Sequence, residues 1–144
     1  MNTIVRRLAP LAMYFAFAIN PASALDESST TKAVDTSRIL SIGGDVTEIL
    51  YALGMGDKIV AVDTTSLFPP EALESKRKVG YMRALSAEGV LSVAPSVILA
   101  AEGAGPPETV RALKASSVHY IVVPDTPTPD GVATKIRSIA NAVE

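Results

Sequence analysis

The sequence contains no cysteine, no tryptophan and only one histidine. Without cysteine there can be no disulfide, no thiolate metal site and no cysteine nucleophile. One imidazole cannot build a zinc centre that takes several. Charge is also scarce: 13 basic and 15 acidic side chains make up 19% of 144 residues and leave a net charge of −2. Nothing in that balance neutralises a run of phosphates, which argues against a nucleic-acid partner. What is plentiful is apolar: 48% of the residues are hydrophobic. That suffices for one domain with its own core and is too apolar for a disordered chain.

The N-terminus has an order of its own. Arg6 and Arg7 precede an apolar run over residues 8–19, then Asn20-Pro21 and the small triplet Ala22-Ser23-Ala24. A basic region, an apolar core and an A-x-A site in that order describe a cleavable signal peptide. The run is shorter than the ~20 residues a membrane-crossing helix needs. Residues 1–24 are therefore expected to be a signal peptide cleaved after Ala24, with an uncleaved anchor as the alternative. Residues 25–37 are polar and unpatterned, as in a flexible leader. The expected destination is outside the cytoplasm, in a periplasm where the cell has one.

From residue 38 onward, strand and helix signals alternate. Short β-rich runs are expected at 38–42, 58–62, 96–101 and 119–124. Gly43-Gly44 ends the first, and Asp45, with Glu48 three residues on, is expected to cap the next helix. Val46, Ile49, Leu50 and Leu53 fall at helical spacing, with Gly54 and Gly56 as stops. Residues 63–83 read as irregular, with one helical turn near 71–75 and a basic run of Lys76, Arg77 and Lys78. Ser86 is expected to cap a short helix to about residue 92. Pro106-Pro107 opens a helix to 116, and Asp130 is expected to cap a last one, 131–143. Four or so mostly parallel strands alternating with helices make an α/β lobe over 38–144. Their continuous apolar character suits a sheet covered on both faces. The pattern runs out at Ala142-Val143-Glu144 without a stop signal, as expected of a fragment.

Enzyme chemistry finds little support. A triad would need His119, with Ser41 or Ser86 as nucleophile, but there is no G-x-S-x-G elbow. Gly43-Gly44 lacks the dinucleotide fingerprint, and Asp45 would place negative charge where a phosphate should lie. The stretch Val79-Gly80-Tyr81-Met82-Arg83-Ala84-Leu85 is richer. Loops after strands of an open α/β sheet are where ligands bind. If the backbone is extended there, Tyr81 and Arg83 share a face. A phenol is neutral in water at pH 7, and a nearby guanidinium favours the phenolate. A phenolate suits ferric iron, and tyrosine serves as a proximal haem ligand. The alternative, which so short a spacing favours on its own, is a surface tyrosine with an unrelated arginine nearby.

Three stretches, at residues 38–54, 79–92 and 94–107, resemble the N-terminal lobe of periplasmic substrate-binding proteins of ABC importers. The class handles haem, cobalamin and ferric siderophores. The second and third stretches resemble its haemin-binding branch. The resemblance implies the N-terminal lobe of a two-lobed, class III-type fold and a transport role without catalysis. It implies ferric haem as the transported ligand, with Tyr81 as axial ligand to the iron and Arg83 assisting it or meeting a propionate. It also implies that Glu108 docks on the membrane permease, the only link to a membrane. The second lobe, which would close over the ligand, lies beyond the sequence. The alternatives are a cobalamin or siderophore carrier of the same class, and an extracytoplasmic hydrolase fragment.

Overall fold

The computed structural model describes residues 33–144. The expected signal peptide (1–24) and residues 25–32 of the expected leader lie outside this range. The last leader residues are tied down: Val34 packs against the core, and the Asp35 carbonyl accepts from Ser96 Oγ at 2.7 Å.

Five strands form one sheet in the order β3-β2-β1-β4-β5, with every neighbouring pair parallel. They are β1 (Ile39–Ile42), β2 (Ile59–Val62), β3 (Arg77–Lys78), β4 (Val97–Ala101) and β5 (His119–Val123). The helices are α1 (Gly44–Ala52), α2 (Pro70–Ser75), α3 (Ala87–Leu91), α4 (Pro107–Lys114) and α5 (Pro129–Val143). The central strands β1 and β4 are buried throughout, as their unbroken apolar runs require. Alternate residues feed two cores. Ile39, Val97 and Leu99 join Val46 and Leu50 of α1 and Ile139 of α5 on one face. Leu40, Ile42 and Ile98 join Val90 of α3 and Leu113 of α4 on the other. Burying each such side chain contributes about 1.5–3 kcal/mol, so the doubly covered sheet is the main source of stability.

Three expectations are corrected. A fifth strand, β3, lies inside the stretch read as irregular. Arg77 and Lys78 are exposed and have little strand propensity of their own; pairing with Ala61 and Val62 makes them a strand. Asp45 does not cap α1. The helix starts one residue earlier, at Gly44, behind Gly43, and the Asp45 carboxylate turns to Lys135 of α5. Nor does Asp130 cap α5: Thr128 does, its hydroxyl accepting from the Gly131 N–H at 3.0 Å. The cap at Ser86 holds, with its Oγ accepting from the Gly89 N–H at 3.0 Å. Helix α1 ends as its glycine predicts. Gly54, at φ +74°, donates to the Tyr51 carbonyl, and Met55 donates to that of Leu50, both at 2.9 Å. This is the paired closure of a Schellman motif.

Candidate functional site

In an all-parallel sheet the strands share one carboxyl edge, and the strand order reverses where β4 is added on the far side of β1. Gly43 turns the chain at that point. Its φ of +115° suits glycine, and a Cβ there would lie 2.7 Å from that of Ala101. The loops after β2, β3 and β4 form the rim beside it.

The loop carrying Tyr81 is pinned at both ends. The Val79 N–H donates to the Val62 carbonyl at 3.0 Å, and the Gly80 carbonyl accepts from the Thr64 N–H at 2.9 Å. Further on, the Met82 carbonyl accepts from the Gly105 N–H at 2.9 Å, and the Leu85 N–H donates to the Gly105 carbonyl at 3.0 Å. The Met82 side chain reaches both cores. Between these anchors the Tyr81 side chain is 48% exposed. The backbone here is a turn, closed by the Ala84 N–H on the Tyr81 carbonyl at 2.8 Å. The extended geometry that would place Tyr81 and Arg83 on one face is therefore replaced by a turn. Both side chains are exposed on the same short loop, and among the described residues they make no hydrogen bond to each other.

Glu108 is exposed in the first turn of α4, where a carboxylate also complements the helix dipole. Thr109 next to it is buried and donates to the Leu85 carbonyl at 3.0 Å, which ties α4 to the Tyr81 loop. The hydrolase alternative loses its geometry. Ser41 is fully buried, its hydroxyl bonded to Thr47 Oγ1 at 2.7 Å. Ser86 serves as a cap, and His119 opens β5 at the amino edge of the sheet, away from the rim.

Two features of the rim escaped the reading of the sequence. Leu67 and Phe68, in the loop after β2, are 66% and 59% exposed. The two adjacent side chains give this loop an exposed apolar surface. Their only sequence signal is an apolar pair inside a stretch without periodicity. The second is Asp63, fully buried at the end of β2. Its Oδ1 accepts from the Gly43 N–H at 2.8 Å and Ser66 Oγ at 2.9 Å. Its Oδ2 accepts from the Thr65 N–H at 2.8 Å and Thr65 Oγ1 at 2.6 Å. An acidic residue followed by two threonines and a serine directly after a strand was the available signal.

A separate groove of about 440 Å3, lined by Tyr51, Gly56, Asp57, Glu71, Ser75 and Lys76, sits by the amino ends of β2 and β3. It contains none of the rim residues. Lys76 is held there by the Gly56 carbonyl at 2.8 Å. Among the described residues no cluster of three or more His, Asp or Glu could hold a metal ion.

Residues 39–144 match the model of a family described as periplasmic binding protein. This chain belongs to that family. Its sheet superposes on the periplasmic heme-binding protein RhuT from Roseiflexus sp. RS-1 with a TM-score of 0.72 and 44% identity, over 75% of this chain and 41% of that one. The periplasmic vitamin B12 binding protein BtuF of Vibrio cholerae gives a TM-score of 0.65 and 33% identity, over 74% and 41%. A curated vitamin B12-binding protein of Vibrio cholerae serotype O1 is 33% identical over 114 residues, 79% of this chain and 41% of the relative. The chain thus spans about two fifths of the length of these relatives. The parallel five-stranded sheet is the lobe fold of the class, as the sequence resemblance implied.

Proposed function

We propose that the chain forms the N-terminal ligand-binding lobe of an extracytoplasmic solute-binding protein for an ABC importer, and that it carries ferric haem. The observation that carries the reading is Tyr81: a half-exposed phenol on a loop whose backbone is hydrogen-bonded on both sides, at the carboxyl rim where α/β sheets take ligands. Haem brings iron already held by the porphyrin and lacks only axial ligation, which a phenolate supplies. Arg83, on the same turn, offers positive charge to that phenolate or to a propionate. Leu67 and Phe68 offer an apolar wall to the macrocycle. The 44% identity to a heme-binding protein supports this cargo. No catalytic role is proposed; the ligand is captured and released unchanged, in the periplasm after export. Glu108, exposed at the start of α4, is the proposed docking point for the permease.

A second cargo has its own support: curated relatives at 32–33% identity are named vitamin B12-binding proteins. An apolar wall serves a corrin as well as a porphyrin, but cobalamin has no need of an axial phenolate.

Titration with haemin and with cyanocobalamin separates the two. Haemin should give a phenolate-to-iron charge-transfer band. Tyr81→Phe should remove the band and weaken binding by roughly tenfold or more, and Arg83→Ala by a smaller factor. Tight cyanocobalamin binding that ignores both substitutions would replace the haem reading with the cobalamin one. Glu108→Lys should leave haemin binding in solution unchanged and reduce permease-dependent uptake; undiminished uptake would remove the docking role.

A further inference from the structure

Asp63 takes no part in the proposed ligation, yet it is a carboxylate with no exposed surface that accepts four hydrogen bonds. An ionised group is costly to bury unless every lone pair is used, so its retention calls for an explanation. Its partners come from two places: Gly43 in the β1–α1 turn, and Thr65 and Ser66 in the loop that carries Leu67 and Phe68. Proton counting extends the network. Each hydroxyl has one proton. Ser66 Oγ gives its own to Asp63 Oδ1, so its 2.7 Å bond to Thr47 Oγ1 must be donated by Thr47. The 2.7 Å bond between Ser41 and Thr47 must then be donated by Ser41. The result is a one-way chain from Ser41 to Thr47 to Ser66, ending on the Asp63 carboxylate. It links β1, α1 and the end of β2, and such chains reinforce themselves in a dry interior.

We infer that Asp63 is a positioning residue for the ligand site: through Thr65 and Ser66 it holds the Leu67–Phe68 wall against the β1–α1 turn, ready for the planar face of the ligand. The inference rests on the cargo reading above for what the wall receives, though not for the clamp itself. The clamp depends on acceptors alone. In Asp63→Asn the new amide must face either the Gly43 N–H or the Thr65 N–H. A hydroxyl can turn away from it, but a backbone N–H cannot. One anchor is therefore lost whichever way the amide is turned.

The test uses the full chain and two readouts. In hydrogen–deuterium exchange, Asp63→Asn should raise rates for residues 43–44 and 64–68 and leave β4 (Val97–Ala101) as protected as in the unsubstituted protein. Ser66→Ala, which removes the hydroxyl's bonds to Asp63 and Thr47 but no charge and neither backbone anchor, should do the same more weakly and serves if the first variant fails to fold. In haemin titrations, Asp63→Asn should weaken binding about tenfold with the Tyr81-dependent band intact. It should add little further loss in a Phe68→Ala background, because the wall it positions is already gone. Unchanged exchange in the loop, exchange raised through the whole sheet, or fully additive losses with Phe68→Ala would each overturn the positioning role. If the unsubstituted protein does not bind haemin, the cargo reading falls, and the exchange pattern still decides whether the clamp exists.

Discussion

Gly43 and Gly54 both take positive φ, but they answer to different demands. At Gly54 (φ +74°) an added Cβ would meet nothing within 4 Å, so only the backbone preference counts. Gly54→Ala should cost about 1–2 kcal/mol. At Gly43 (φ +115°) the added methyl also meets Ala101 at 2.7 Å, and Ala101 belongs to a buried central strand that cannot yield. Gly43→Ala should therefore cost ~1–3 kcal/mol more than Gly54→Ala, the usual penalty of overpacking. Urea midpoints compared at equal slope measure both; equal costs would mean the turn has room that the geometry denies. Tyr81 shows what a residue-level reading can and cannot do. Its loop position and its neighbour Arg83 were legible. The turn between them was not, because the loop that the Ala84 N–H closes on Tyr81 is anchored on either side by bonds to Thr64 and Gly105, residues distant in sequence.

At the level of elements, the ends of helices were the least legible feature. Asp45 and Asp130 both have the composition of an N-cap, yet both sit inside the first turn. Each stands close to another residue able to start the helix: Gly43 before α1, and Thr128 before Pro129 in α5. Thr128→Ala should destabilise the protein by about 1 kcal/mol, the usual worth of a lost cap. Asp130→Ala should cost less, ~0.3–1 kcal/mol, from the helix dipole alone. Thermal midpoints of the two variants check the order, and a larger loss at Asp130 would reinstate it as the cap. Asp45 acts elsewhere. With Asp125, whose carboxylate lies 2.7 Å from Lys135 Nζ, it holds that lysine and so joins the start of α1 to the middle of α5. No local pattern announces a contact between residues 45 and 135.

For the molecule as a whole, three buried or half-buried groups, Lys135, Tyr120 and Tyr51, push in one direction with pH. Burial alone would lower the pKa of Lys135, but hydrogen bonds to Asp125 and Asp45 outweigh it and hold the ammonium above its ordinary 10.5. Burial raises the Tyr120 phenol above its ordinary 10.0. Burial, with the charges of Glu71 and Asp57, raises that of Tyr51. In each case the folded state holds its proton more tightly than the unfolded chain. Their stabilisation is complete below the ordinary values and is lost as pH climbs through the raised ones. Chemical-denaturation midpoints should accordingly stay level up to about pH 9.5 and fall above pH 10. Lys135→Met should flatten part of that fall. A midpoint that rises above pH 10 would contradict the sign.

The sequence by itself determined the layered α/β plan. Apolar runs at 38–42, 58–62, 96–101 and 119–124, separated by helical periodicity, leave few ways to bury both faces except a parallel sheet, and local patterning is enough to read that. It also put Tyr81, Arg83 and Glu108 after strands, where the carboxyl rim must be. Only the tertiary structure decided that Arg77 and Lys78 form a strand, that Asp45 serves Lys135, that Ser41 is sealed in the core, and that Asp63 joins two loops beneath an exposed Leu67 and Phe68. The strand pairing, the Asp63–Gly43 bond and the Asp45–Lys135 pair join residues 16, 20 and 90 positions apart. A hydrogen bond or a charge pair forms with whatever the fold brings within about 3 Å, and sequence spacing carries no record of that distance.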